Sequence, residues 1–184
     1  MKNNVPGWTP PVTFKVDSGR LIVTDPCYTQ GTWCSGLLTD VRQGVWEATA
    51  LIVDSGDWGG RVAKLMVRHQ EHDDLSEPQE LCGFEVGVDS GQAGFFDFHI
   101  YPQGDETGDY GDLSTFYGRA CYATLGDDRN EHSQCGGVVD GHGVATRSGF
   151  GDGGYDCYAR RDNGEVVAAM IVFIADEELD EDVE

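Results

Sequence analysis

Residues 155–173 read YDCYARRDNGEVVAAMIVF, two runs rich in β-branched and aromatic residues on either side of Asp162-Asn163-Gly164. Asn and Gly tolerate a positive φ, so these three residues predict a tight turn and their flanks a β-hairpin, YDCYARR (155–161) with EVVAAMIVF (165–173). The apolar run VVAAMIVFIA (166–175) is half the length of a membrane span and reads as a buried strand. The same kind of run recurs towards the N-terminus as VTFKV (12–16), RLIVT (20–24), VWEATALIV (45–53), RVAKLMVRH (61–69), FEVGV (84–88) and GFFDFHIY (94–101). Twenty-six glycines scattered between them argue for many turns and little helix. The expectation is a mainly β fold: a single antiparallel β-sandwich or partly open barrel.

One segment departs from this pattern. In DLSTFYGRACYATLG, Leu113, Phe116, Tyr117, Ala120 and Cys121 recur at helical spacing. With Asp112 as a cap and Gly126 past the end, they predict one helix over about 113–125, packed on a sheet. Gly118 inside it carries a helix penalty of about 1 kcal/mol relative to Ala. Residues 126–143, GDDRNEHSQCGGVVDGHG, read as a long polar loop. Residues 1–175 then form one domain, and 176–184 a disordered acidic tail.

Thirty-three acids face twelve bases, a formal net charge of −21. Seven of the acids fall in the last nine residues, so the body is acidic even without them. Such a surface repels phosphate backbones, so direct nucleic-acid binding and adhesion to anionic membranes are not expected. MKNNVPGWTPP lacks the apolar core of a secretory signal, and no run is long enough to span a membrane. The expected setting is the cytoplasm, with the six cysteines as reduced thiols.

VDSG occurs at residues 16–19, 53–56 and 88–91, each time after a predicted strand and shortly before another. Asp-Ser-Gly is good turn chemistry, and the flanks do not otherwise align, so the first two copies are expected to be hairpin turns. The third leads into GFFDFHIY, where alternation places Phe96, Phe98 and Ile100 on one face and Phe95, Asp97, His99 and Tyr101 on the other. Asp97 and His99 there can act as acid, base or ligand, or belong to a solvated face. Asp25-Pro26 marks the exit of the second strand. The cysteines lack the tight CxxC pairing of a zinc knuckle.

In RSGFGDGGYDCY (147–158), four glycines surround Asp152 and Ser148 precedes them. The stretch lacks the Lys of a Walker loop and the alternating acids of an EF-hand. It reads either as a loop whose backbone approaches a cation, sugar or base hydroxyl, or as a wide turn into the last hairpin.

Three segments in order, SGRLIVTDPCY, VDSGQAGFFD and SGFGDGGYDCYARRDNGEVVAAMIVF, resemble domain-of-unknown-function family 4241, found in bacteria and their phages. The resemblance spans roughly residues 17–173 and carries no established activity. It implies one mainly β, intracellular domain (host cytoplasm if phage-encoded). It points to Asp25, Asp89, Asp97, Ser148, Gly149, Gly151, Asp152, Gly153 and Tyr155, with His99 beside them from the strand reading. Asp97 and Asp152 are the candidate metal ligands, for Mg²⁺, Mn²⁺ or Ca²⁺. The leading expectation is an accessory protein that binds a small polar ligand, such as a nucleotide, or a protein partner. The alternatives are a hydrolase in which clustered aspartates hold the metal and His99 moves a proton, and an acidic mimic of nucleic acid that inhibits a host protein.

Overall fold

The computed structural model describes residues 5–104, 107–125 and 135–180. In chain order the described residues form β1 (Gly7–Trp8), β2 (Val12–Val16), β3 (Leu21–Thr24), β4 (Gly36–Leu38), β5 (Gly44–Asp54), β6 (Gly60–His69), β7 (Glu80–Val88) and β8 (Gln92–Asp97). Then follow α1 (Phe116–Leu125), β9 (Gly136–Val139), β10 (Gly143–Arg147), β11 (Gly153–Asp162), β12 (Glu165–Val172) and α2 (Asp176–Asp180). None of these helices is long and apolar enough to cross a membrane.

The strands make two antiparallel sheets, as a sandwich requires. The larger runs β1-β5-β6-β12-β11-β7, with β2 also paired to β5, and the smaller runs β4-β3-β8-β10-β9. The 155–173 hairpin is β11 with β12, closed at the Asp162–Glu165 pair, and Asn163 and Gly164 have φ of 51° and 84°. Between the sheets lies the main core. Trp46, Ala48, Ala50 and Ile52 point inward from alternate positions of β5, against Leu21, Val23, Phe95 and Val144 of the smaller sheet. Each large side chain so buried stabilises the fold by about 1.5–3 kcal/mol.

Helix α1 lies on the far face of the smaller sheet, where Phe116, Ala120 and Ala123 pack on Ile22, Phe96 and Val139. This third layer explains why every residue of β3 and β8 is buried, where a sheet with one wet face would alternate. The helix begins at Phe116, three residues after the expected start. Thr115 Oγ1 accepts the Gly118 amide at 3.0 Å and caps it, while Asp112 closes a separate turn on Ser114. Gly118 is explained by proximity: a Cβ there would lie 2.0 Å from the Asp112 carbonyl oxygen.

Four further expectations change. The strand read as 94–101 stops at Asp97, and the chain turns at once, with the Ile100 amide bonding the Asp97 carbonyl at 3.1 Å; the alternation predicted through Tyr101 ends there. Within the 126–143 stretch, Gly136–Val139 is a strand, hairpinned to β10 through Asp140-Gly141-His142; residues 126–134, including the Gly126 cap, lie outside the described residues. Asp176–Asp180 are helical, and Asp176 pairs with the buried Lys64 at 2.8 Å; residues 181–184 of the expected tail lie outside the described residues. Only the second VDSG, between β5 and β6, makes a hairpin. The first carries the chain from β2 in the large sheet to β3 in the small one, and the third does the same from β7 to β8.

Candidate metal centre

The two crossing turns belong to a longer repeat. Residues 16–25 and 88–97 both read V-D-S-G, then five residues, then D, whereas eight residues after Asp54 stands Val62. Strands β3 and β8 pair antiparallel with Val23 opposite Phe95, and these two hold the same place in their motifs. The repeat is therefore arranged about a local two-fold axis, and the closing aspartate of each copy reaches the turn of the other.

Asp25, fully buried, accepts the Asp89 and Ser90 amides at 2.9 and 2.7 Å and the Ser90 hydroxyl at 2.6 Å. It also accepts the Cys27 amide at 2.8 Å. Asp97, equally buried, accepts the Asp17 and Ser18 amides and the Ser18 hydroxyl. In both clasps the donors replace the water that the carboxylate loses on burial. Burial alone would raise the Asp97 carboxyl, but the Ser18 hydroxyl, the amides of Asp17 and Ser18 and the neighbouring His99 hold it below its usual range.

The two clasps differ in what stands two residues beyond the aspartate: Cys27 beyond Asp25, His99 beyond Asp97. His99 Nδ1 lies 3.0 Å from Asp97 Oδ2, so Nδ1 is the donor in this contact and Nε2 is the ring nitrogen left for another partner. The His142 ring stands perpendicular to it, with centroids 5.1 Å apart. One donor atom from each of Asp17, His99 and His142 lies within 4.8 Å of the other two.

The backbone around this trio is tied on every side. The His142 carbonyl accepts the Asp97 amide at 2.8 Å, and the Gly141 carbonyl accepts the Lys15 amide at 2.9 Å. Arg119 on α1 grips the Asp140 carboxylate at 2.7 and 3.0 Å. The Asp140 carbonyl in turn faces His142 Nδ1 at 3.2 Å. His142 Nε2 faces Asp17 Oδ2 at 2.9 Å. His142 thus has a polar partner at each ring nitrogen, the Asp140 carbonyl at Nδ1 and the Asp17 carboxylate at Nε2. When Nδ1 donates to the carbonyl, the Nε2 lone pair is turned to the carboxylate side, where a bound cation would bridge the two.

Among the described residues, Asp25, Asp89, Asp97 and Asp152 form no such cluster. Asp25 and Asp89 share one end of the β3–β8 pair, where the Asp89 carboxylate accepts the Tyr28 hydroxyl at 2.6 Å. Asp97 and His99 are at the other end. Asp152 is exposed on the glycine loop, which is closed on itself: Ser148 Oγ and the Tyr155 hydroxyl both donate to the Gly151 carbonyl, at 2.8 and 2.6 Å. Gly149 and Gly151 take φ of 55° and 120° there, Gly153 opens β11, and the Ser148 amide ties the loop to the Gly91 carbonyl of the third VDSG.

Sequence reading passed over Asp17 and His142, one as part of a turn and the other inside a polar loop. The spacing that repeats VDSG with a closing Asp would have singled out the first. Nothing local marks the second, because residues 17, 99 and 142 meet only through the strand order β3-β8-β10.

Comparison with curated proteins and with solved structures finds no match. A family model described as "Protein of unknown function (DUF4241)" matches residues 14–172, a span that holds both clasps, all three donors and the glycine loop. The chain therefore belongs to the DUF4241 family.

Proposed function

We propose that the protein binds one divalent transition-metal ion through Asp17, His99 and His142, with Asp97 orienting His99 from behind. The observation that carries this reading is the convergence of one donor atom from each of Asp17, His99 and His142 within 4.8 Å of one another. Small side-chain adjustments bring such a cluster to the roughly 3–3.5 Å separating donors about 2.0–2.2 Å from one ion. The outer hydrogen bonds add support: metal-binding histidines characteristically donate their second N–H to a carboxylate or carbonyl, and Asp97 and Asp140 supply one of each. Two imidazoles and one carboxylate favour Zn²⁺, Fe²⁺, Co²⁺ or Ni²⁺ over the all-oxygen preferences of Mg²⁺ and Ca²⁺. Asp25, Asp97 and the glycine loop act in this reading as the frame of the site.

A second reading follows from the donor count. Three protein ligands leave coordination positions for water, the arrangement of a hydrolytic centre. The side chains of Asp17 and His99 are 59% and 48% exposed, which gives a polar substrate access.

Melting of exhaustively chelated protein, with Zn²⁺, Fe²⁺, Co²⁺, Ni²⁺, Mg²⁺ and Ca²⁺ returned singly, tests both readings. The midpoint rises with one of the first four ions, and the rise is lost in His99→Ala and in His142→Ala. A midpoint indifferent to all six ions overturns the metal reading. A metal-dependent rise with no hydrolysis of ester or phosphodiester probes removes only the second.

A further inference from the structure

A different part of the molecule holds an unbalanced positive charge. Arg61 near the start of β6 and Arg147 at the end of β10 line a narrow, partly open cavity of about 10 Å³ with Ile52, Val62, Cys135 and Gly149. Arg61 Nε and Arg147 Nη2 are buried without a hydrogen-bond partner. Among the described residues, Arg42, Arg68, Arg119 and Arg160 each hold a carboxylate, whereas neither Arg61 nor Arg147 does, in a chain with 33 acids.

Two like charges side by side in a partly apolar seam repel each other and lose hydration. Burial works against the Arg147 guanidinium, and the neighbouring Arg61 charge adds to it against a partial offset from Cys135. A lysine could respond by giving up its proton, but a guanidinium does not deprotonate in a protein. Both residues are half-buried, so water screens part of the charge, and a bound counter-ion would balance the buried Arg61 Nε and Arg147 Nη2. The cavity sets its size, since about 10 Å³ is room for roughly one water-sized occupant, too little for a phosphate or sulfate. Its walls set its character: Ile52 and Val62 offer no donors, so a weakly hydrated ion is favoured.

We infer that Arg61 and Arg147 hold one chloride-sized inorganic anion between the two sheets, beside the glycine loop. The site is independent of the metal centre, and neither reading depends on the other.

The test is melting of the full chain at constant ionic strength, with chloride exchanged for gluconate, which is too large to enter. The midpoint is expected to climb with the logarithm of chloride concentration, as for one ion bound only by the folded state. Arg61→Met and Arg147→Met each abolish that dependence. Because either variant could lose its fold, bromide-soaked crystals of the unmodified protein give a second measurement, with an anomalous peak expected between the two guanidinium groups. A chloride-independent midpoint, or no bromide peak there, overturns the proposal. So does an equal rise with sulfate, which stabilises by exclusion from the surface.

Discussion

Ser18 and Ser90 each send a backbone amide and a hydroxyl to a buried carboxylate, while Ser55 in the second VDSG makes no such cap. Replacing each serine by alanine separates clasp from turn. Ser18→Ala and Ser90→Ala should cost about 1.5–3 kcal/mol, the range for hydrogen bonds to charged groups, and Ser55→Ala less than about 0.5 kcal/mol, read by urea denaturation. Asp25→Asn and Asp97→Asn should destabilise alike, yet only Asp97→Asn should weaken transition-metal binding, by about 10- to 100-fold. Equal metal affinity in the two variants would leave Asp97 with a purely structural role. The thiols offer a separate check. Burial and the Asp25 charge push the Cys27 thiol well up, whereas the hydrogen bond from Cys157 lowers that of Cys82. Alkylation at pH 8 should therefore modify Cys82 first, as peptide mapping would show, and preferential labelling of Cys27 would contradict that ordering.

At the scale of elements, Gly118 puts helix propensity against packing. Alanine normally gains about 1 kcal/mol over glycine in a helix, but here its methyl group would meet the Asp112 carbonyl at 2.0 Å. Gly118→Ala should thus destabilise by about 1–3 kcal/mol, and a higher melting midpoint would show that the 108–115 loop yields freely. The same element shows what sequence can and cannot disclose. The helical spacing of Phe116, Tyr117, Ala120 and Cys121 was legible as a helix, and long alternating runs such as Val45–Val53 were legible as strands. Gly136–Val139 was not, because two of its four residues are glycine and its burial comes from α1 and β10, not from a periodic pattern of its own. Asp25 and Asp97 were legible as unusual acids near strand ends. Their exchange of partners was not, since it depends on which two strands lie side by side.

For the molecule as a whole, Lys64 is the most buried amine with a described role, tying β6 to Glu77 at 2.9 Å and to the C-terminal helix at Asp176. Burial works against its charge, but the hydrogen bonds it donates to Asp176 and Glu77 prevail and raise its pKa. A raised pKa contributes stability that is complete below the unfolded value, about 10.4, and is lost as pH rises through the higher folded value. Stability should accordingly fall in the alkaline range above about pH 10, and Lys64→Met should remove that part of the fall; an unchanged profile would assign it to tyrosine ionisation. The crossed clasps reach further. Asp25 finds its donors at Asp89 and Ser90, and Asp97 finds its donors at Asp17 and Ser18. A chain cut in the exposed stretch around Leu75 would leave each fragment holding one half of each lock. Neither piece should fold alone, yet mixed they should reassemble spontaneously, so the protein is built as a natural pair of complementing halves that happen to share one backbone.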